Sequence, residues 1–138
     1  MVNKKKFKNI LVPFDDSKNS QRALDKAIQL ATDLNGKLTI IHVISYHKTV
    51  AKIVGPYKGR LVDSVNKFLN QAKKNAEKNK VKSSSKILYG NSAEQILKFM
   101  QKNKFDLIVL GRRGTSSITG NSLGSVSNAL IQNSNVPV

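Results

Sequence analysis

The sequence of 138 residues contains no cysteine and no tryptophan, and it has only two histidines. Without cysteine there is no disulfide framework, no thiolate ligand for zinc or an iron–sulfur cluster, and no thiol nucleophile. His42 and His47 alone offer little from which to build a histidine metal site. We therefore expect neither a protein-held metal centre nor catalysis by a thiol.

Long apolar runs are missing as well. The basic N-terminus, residues 1–6, is followed by only three consecutive apolar residues, 10–12, and then by Pro13. This run is shorter than the apolar core of a signal peptide. It is far shorter than the roughly 20 residues that a membrane-spanning helix needs. The sequence therefore predicts a cytoplasmic protein that does not enter a membrane.

Acidic residues are scarce, and the chain is strongly basic. There are 24 lysines and arginines against eight acidic residues, which gives a formal net charge of +16. Such an excess favours anionic partners, but it does not choose among nucleic acid, acidic membranes and phosphorylated ligands. The hydrophobic fraction of 39% argues against disorder. The length fits one domain, residues 1–138.

Strand-like and helix-like segments alternate along the chain. Short apolar runs predict buried strands, and apolar residues spaced by three and four predict amphipathic helices. The predicted strands are 10–12, 38–44, 81–89, 106–110 and 136–138, with a helix after each of the first four. Asp16 or Ser17 is expected to cap the first helix, and Gly36 to end it. Ser92 and Gln95 match a capping box at the start of the third.

This alternation indicates a parallel sheet covered by helices on both faces. Right-handed crossovers then make the sheet doubly wound. The predicted fold class is α/β, a Rossmann-like, doubly wound parallel sheet of five strands whose last strand is truncated at residues 136–138. Ligands of such sheets bind beyond the carboxyl ends of the strands, where the strand order reverses. Residues 13–17, 43–46 and 111–125 follow predicted strands and are the candidates.

The glycine-rich segment 111–125 carries the most information, because it leaves a predicted strand and enters a predicted helix. Glycine lets the backbone come close to a ligand. The N–H groups that open a helix favour phosphate, and Ser125 and Ser127 add hydroxyl groups. The alternative is an ordinary surface loop rich in glycine and serine.

Better-known motifs do not explain this segment. No Gly-Lys-Ser/Thr occurs, which excludes a Walker loop, and no GxGxxG follows the first strand. Residues 120–124 have the GxSxG spacing, but a nucleophile elbow places its serine directly after a strand and its histidine later in the chain. Both histidines precede Ser122, so we interpret this match as accidental.

Gly111, Gly114, Gly124 and Ser125 form the pattern G-x2-G-x9-G-S, which resembles the ATP-binding signature of the universal stress protein family. Further segments are typical of that family: 10–15, 38–43, 106–110 and 135–138. The resemblance covers essentially the whole chain. It implies an adenine nucleotide α-hydrolase-like fold.

The resemblance also implies a function. Such a protein would bind ATP together with Mg²⁺ and act as a nucleotide-dependent sensor or regulator in the stress response, with at most slow ATP hydrolysis. The binding residues it implies are Pro13, Asp15, Val43, Gly111, Arg112, Gly114, Gly124, Ser125, Val126 and Ser127. Asp15 would lie near the adenosine, the backbone of Val43 at the adenine edge, and residues 124–127 at the phosphates. Members of the family form a homodimer through the fifth strand.

Two alternatives to a nucleotide-binding regulator stay open. The lysines, densest between Lys73 and Lys86, are either a solvated surface or a nucleic-acid-binding face. Aromatic side chains that would stack on bases are not interleaved with them. A phosphate-transferring enzyme is less favoured, because no histidine or cysteine nucleophile occupies a suitable place. Arg112 and Arg113 are either solvated or neutralise phosphate charge.

Overall fold

A computed structural model describes residues 7–45, 58–112 and 124–138. The elements in these ranges are β1 (Asn9–Pro13), α1 (Lys18–Leu34), β2 (Lys37–Ile44), α2 (Lys58–Lys78), β3 (Ser83–Tyr89), α3 (Ser92–Lys102), β4 (Leu107–Ile108) and α4 (Ser125–Asn133). The strands form one parallel sheet in the order β3-β2-β1-β4. The predicted α/β class and parallel sheet are confirmed.

Each face of the sheet has its own apolar core, because successive side chains of a strand point to opposite faces. On one face, Ile10 and Val12 of β1 pack with buried residues of α1 and α2. On the other face, Leu11 of β1 packs with Ile96 of α3 and Leu130 of α4. Helices therefore cover both faces. Within the described ranges, no helix has the length and apolar character that crossing a membrane requires.

The cap of α1 agrees with the sequence, but its end does not. Ser17 is the N-cap, and its hydroxyl accepts a hydrogen bond from the Ser20 N–H at 3.1 Å. At the other end Asn35, not Gly36, takes the left-handed conformation, with φ at 56°. Position 36 requires glycine for another reason, because a Cβ there would lie 2.8 Å from the carbonyl oxygen of Lys8.

The predicted capping box of α3 is wrong by one residue. Asn91 is the N-cap, and its Oδ1 accepts a hydrogen bond from the Glu94 N–H at 3.0 Å. The Ser92 hydroxyl lies instead 3.1 Å from the hydroxyl of Ser45. Asparagine and serine cap helices about equally well, so two adjacent candidates cannot be separated by residue type.

The end of α2 contains a lysine in a conformation that favours glycine. The Val81 N–H donates to the Ala76 carbonyl at 3.0 Å and the Lys80 N–H to the Glu77 carbonyl at 2.9 Å, which is the Schellman arrangement. Lys80 has a φ of 59°. A side chain in this left-handed region costs on the order of 1 kcal/mol relative to glycine. The fold therefore retains a lysine at some expense to stability.

Strand lengths reverse the order that the sequence suggests. β3, predicted to be weak, pairs with β2 at seven positions from Leu38↔Ser83 to Ile44↔Tyr89. β4, predicted to be the strongest, pairs with β1 at only two positions, Ile10↔Leu107 and Leu11↔Ile108. On the far side of β4 the Ile108 N–H donates to the Pro137 carbonyl at 2.9 Å. This bond lies where the predicted fifth strand would begin, and that strand stays a prediction.

Candidate functional site

The strand order reverses between β1 and β4. From β1 the chain proceeds to β2 and then β3 on one side, and it returns to place β4 on the other side of β1. The helices that follow these two strands, α1 and α4, pack on opposite faces of the sheet. Their N-termini therefore flank a crevice at the carboxyl ends of β1 and β4, which is where ligands of such sheets bind.

The exit from β1 is fixed by one backbone hydrogen bond to β2 and by the side chains of Asp15 and Asp16. The Phe14 N–H donates to the Ile41 carbonyl at 2.8 Å, which extends the pairing with β2 by one residue. Half-buried Asp15 then accepts a hydrogen bond at Oδ1 from the Ser17 N–H at 3.0 Å. Asp16 has a φ of 65°, and its Oδ1 accepts from the Gln21 side chain at 2.8 Å. Asp15 thus lies at the crevice, and Asp16 is turned to the surface of α1.

His42 links β2 to the same exit. Its Nδ1 lies 2.8 Å from the Phe14 carbonyl oxygen. A carbonyl oxygen only accepts, so Nδ1 carries the hydrogen and donates it. The ring also packs edge-on against Phe68, with centroids 5.1 Å apart. His42 is therefore a structural residue at a strand end, which agrees with its interpretation from the sequence as a strand-end histidine.

Two hydrogen bonds join Arg112 to the residues that follow segment 113–123, and a third lies within the first turn of α4. The Gly124 N–H donates to the Arg112 carbonyl at 2.8 Å. The Ser127 hydroxyl lies 2.7 Å from the Arg112 carbonyl and 3.0 Å from the Gly124 carbonyl, and it donates to both. We call these contacts among Arg112, Gly124 and Ser127 the neck. The neck holds the N-terminus of α4 beside the carboxyl end of β4.

The Ser127 hydroxyl, which the sequence suggests would bind phosphate, instead donates to backbone carbonyls within the neck. Its side chain is only 4% exposed, and the hydroxyl hydrogen is already directed to carbonyl oxygens. The group that Ser127 has left for a ligand is its backbone N–H. Ser125 is exposed, and Val126 lies between the two on the first turn of α4.

The N-terminus of α4 lacks a side-chain cap. Its N-cap is Gly124, with φ at −61° and ψ at 154°, and it makes no side-chain hydrogen bond to the helix. The first N–H groups of a helix have no partner within the helix, and they carry the positive end of its dipole. By contrast, Ser17 and Asn91 provide side-chain caps for α1 and α3. The first turn of α4 is therefore suited to an anion.

Gly111 is explained by packing within the protein. A Cβ at this position would lie 2.8 Å from the carbonyl carbon and 3.0 Å from the carbonyl oxygen of Asn19. Glycine here allows the end of β4 to approach the first turn of α1. The close approach identifies Asn19 as a residue of the site that no sequence motif indicated.

Val43 occupies the end of β2, two positions beyond the Ile41 partner of Pro13. It is half-buried and pairs with Leu88 of β3. The Ile41 carbonyl is directed to β1. Because successive residues of a strand direct their backbone groups to alternate sides, those of Val43 also point toward the β1 side, at the carboxyl edge. Pro13 and Val43 are thus neighbours along this edge.

An apolar groove of about 480 Å³ runs along the outer side of β4. It is lined by Leu30 of α1, residues 107–110, Ile131 of α4 and Val138, and by Arg112 and Ser127 of the neck. Ile131 is 53% exposed and Val138 is 44% exposed. The groove therefore begins at the candidate site and continues along the β4 side of the sheet.

The structure brings most of the predicted site residues to one edge. Pro13, Asp15, Gly111, Arg112 and residues 124–127 surround the crevice, and Val43 lies one strand away. Gly114, Arg113 and His47 lie outside the described residues.

Comparison with known proteins gives a consistent result. A profile of the universal stress protein family matches residues 6–138. A universal stress protein of Methanocaldococcus jannaschii is 33% identical over 140 residues, which cover 96% of this chain and 80% of that protein. The solved universal stress protein UspA from Lactobacillus plantarum superposes with a TM-score of 0.81 at 26% identity, covering 96% of this chain and 95% of that chain. A universal stress protein solved in complex with cAMP gives a TM-score of 0.71 at 26% identity, covering 96% and 94%.

Proposed function

Because the chain belongs to the universal stress protein family, we propose that it binds ATP in the crevice between β1 and β4. In this proposal it is a cytoplasmic protein that acts as a nucleotide-dependent sensor or regulator in the stress response. The observation that carries the proposal is the uncapped N-terminus of α4, which the neck holds beside the carboxyl end of β4.

The residues at the crevice fit a nucleotide. The N–H groups of residues 125–127 and the exposed hydroxyl of Ser125 are donors for phosphate oxygens. Exposed Arg112 adds a positive charge beside them. In this proposal Asp15, on the other side of the crevice, would lie near the adenosine and the backbone of Val43 would hold the adenine edge. A relative solved in complex with cAMP supports an adenine nucleotide as the ligand class.

Mg²⁺ would enter with the phosphates. In the described part of the chain, no three acidic or histidine side chains come together in a way that could hold a metal ion. Phosphate oxygens and water would therefore supply most of its ligands, as is usual for this ion.

We propose a binding protein with at most slow ATP hydrolysis. Efficient hydrolysis needs a base that positions and activates water. Asp15 accepts a hydrogen bond from the Ser17 N–H and Asp16 from Gln21, so each carboxylate has a structural task. This supports a regulatory role for bound nucleotide.

Calorimetry with MgATP tests the proposal, using Gly124→Val. The backbone conformation at 124 accepts any residue, but an N-cap side chain lies over the first N–H groups of the helix. We expect the variant to bind ATP at least about tenfold more weakly, equivalent to roughly 1.4 kcal/mol.

The matched control for this test is Gly59→Val in α2, where an added Cβ meets nothing within 4 Å. It should bind ATP like the unchanged protein, and circular dichroism should show that both variants fold. Full-strength binding by the folded Gly124→Val variant, or no binding of ATP or cAMP by the unchanged protein, would show that the phosphates do not lie at α4.

We propose further that the groove along β4 is covered in a homodimer, with a fifth strand completing the sheet. Support comes from the Ile108–Pro137 hydrogen bond and from exposed Ile131 and Val138. Ile131→Asp should convert a dimer to a monomer in sedimentation experiments, because it places a charge in the interface. Leu61→Asp, at a residue 39% exposed on the opposite face, should leave the dimer intact. A monomeric unchanged protein, or equal effects of both substitutions, would argue against this interface.

A further inference from the structure

The edge of the sheet at which the strands begin collects lysines. Helices return to this edge before each next strand, so the end of α2 lies at the start of β3 and the end of α3 at the start of β4. Six exposed lysines occupy these positions: Lys37, Lys78, Lys80, Lys82, Lys102 and Lys104. We call this set the lysine edge. β2 has eight residues and spans about 25 Å, so the lysine edge lies far from the candidate nucleotide site.

In the described part of the chain, no lysine of the lysine edge forms an ion pair shorter than 4.0 Å, although exposed Glu77 lies beside Lys78 at the end of α2. Within the described residues the ion pair shorter than 4.0 Å is that of Lys98 with Glu94, at 3.0 Å, and it lies outside this set. The nearby carboxylate of Asp106 accepts hydrogen bonds from the backbone N–H groups of Lys8 and Asn9 at 3.1 and 2.9 Å. Its charge is thus engaged at the start of β1.

Two features of the lysine edge are unfavourable for the folded protein alone. Lys37 begins β2 and Lys82 directly precedes β3, next to a hydrogen bond of 3.0 Å from the Leu38 N–H to the Lys82 carbonyl, and like charges at the starts of neighbouring strands repel. Lys80 keeps a left-handed conformation that glycine would adopt without strain. Strain and repulsion retained at one surface point to a task for the lysines themselves.

The side chains around the lysine edge indicate which kind of polyanion it would bind: a membrane surface, single-stranded nucleic acid or a duplex. Of the exposed large hydrophobic residues of the described ranges, Leu61 and Tyr89 lie at the opposite edge, at the start of α2 and the end of β3. Ile131 and Val138 lie beside β4, on the other side of the sheet from the starts of β2 and β3. Phe105 packs against Phe99, with ring centroids 5.6 Å apart. Insertion into a membrane surface needs exposed apolar side chains, and single-stranded nucleic acid is held by stacking on aromatic rings. Contacts from lysines alone suit the phosphate backbone of a duplex.

We propose that the lysine edge binds the phosphate backbone of double-stranded nucleic acid without reading its sequence. This surface is separate from the nucleotide crevice, so the proposal does not depend on nucleotide binding. Lysines at the starts of two adjacent strands and after two helix ends would contact several phosphates at once. Binding of this kind releases counterions and weakens steeply as salt is added.

The test compares two triple variants with the same net charge. Lys37→Gln/Lys80→Gln/Lys82→Gln removes three charges from the lysine edge, and Lys18→Gln/Lys26→Gln/Lys67→Gln removes three from exposed positions elsewhere. Binding to a labelled DNA duplex of about 20 base pairs, roughly two helical turns, is measured by fluorescence anisotropy over a range of salt concentrations.

We expect the first triple variant to bind at least about tenfold more weakly and its salt slope to fall by about 2 to 3, whereas the second variant keeps the slope of the unchanged protein. Equal weakening by both triples would mean a diffuse charge effect and would overturn the proposal. So would tighter binding to phosphatidylserine vesicles than to the duplex at equal phosphate concentration.

The Lys80→Gly variant distinguishes a role of Lys80 in binding the duplex from a role in stabilising the fold. Glycine relieves the left-handed strain, so the thermal midpoint should rise while the affinity for the duplex falls. A lower midpoint together with unchanged duplex binding would show that Lys80 serves the fold alone.

Discussion

The substitution Gly111→Val is expected to lower the free energy of unfolding by about 3 kcal/mol, because a side chain there must displace backbone atoms of Asn19. The contact joins the end of β4 to the first turn of α1, and neither segment can move without disturbing a buried core. Urea unfolding, followed by circular dichroism, measures the loss directly.

Gly59→Val is the matched control for this prediction as well. Position 59 lies in the first turn of α2 with open space around it, and valine has a slightly better helix propensity than glycine. The urea concentration at which half of the Gly59→Val variant is unfolded should equal or slightly exceed that of the unchanged protein. Similar unfolding midpoints for the two variants would show that β4 does not approach α1 this closely.

The substitution Leu24→Ala should cost about 3 kcal/mol of stability as well, for a different reason. Leu24 is fully buried between α1 and the sheet, in the core that includes Ile10, Val12 and Ile40. Truncation removes its apolar contacts and leaves a cavity. Leu61→Ala, at a residue 39% exposed on α2, should cost less than about 1 kcal/mol in the same urea experiment. Comparable losses would contradict the burial of Leu24.

The order and type of the elements could be predicted from the sequence, because apolar spacing records which side of each element is buried. Strand lengths could not. β3 is an edge strand on which alternate side chains, such as Ser84 and Lys86, are exposed, so polar residues are tolerated there. β4 is apolar because both faces are covered, although its ladder has only two positions. The hydrophobicity of a segment therefore indicates how deeply its side chains are buried, and it does not indicate how many residues pair with the neighbouring strand.

The candidate site was predicted unevenly. The edge of the sheet followed from the alternation of strands and helices, and the resemblance supplied the residues. No sequence pattern indicated what each site residue contacts in the folded protein. The neck depends on the Ser127 hydroxyl turning inward, and Gly111 depends on the approach of Asn19, which lies 92 positions earlier in the chain. Contacts between residues so distant in sequence are set by packing, and one sequence alone does not reveal them.

The division into two cores has a consequence for how the chain is made. Among the described residues, every buried member of the core that α1 and α2 cover lies between Ile10 and Val81. The other core cannot close until Ile96, Ile108 and Leu130 have been added. A chain leaving the ribosome N-terminus first can therefore collapse one side of its sheet while the other is still being translated, and domains form in this direction during synthesis. Until α3 and α4 arrive, Leu11 and Ile41 on the uncovered side are the apolar surface that a chaperone would meet.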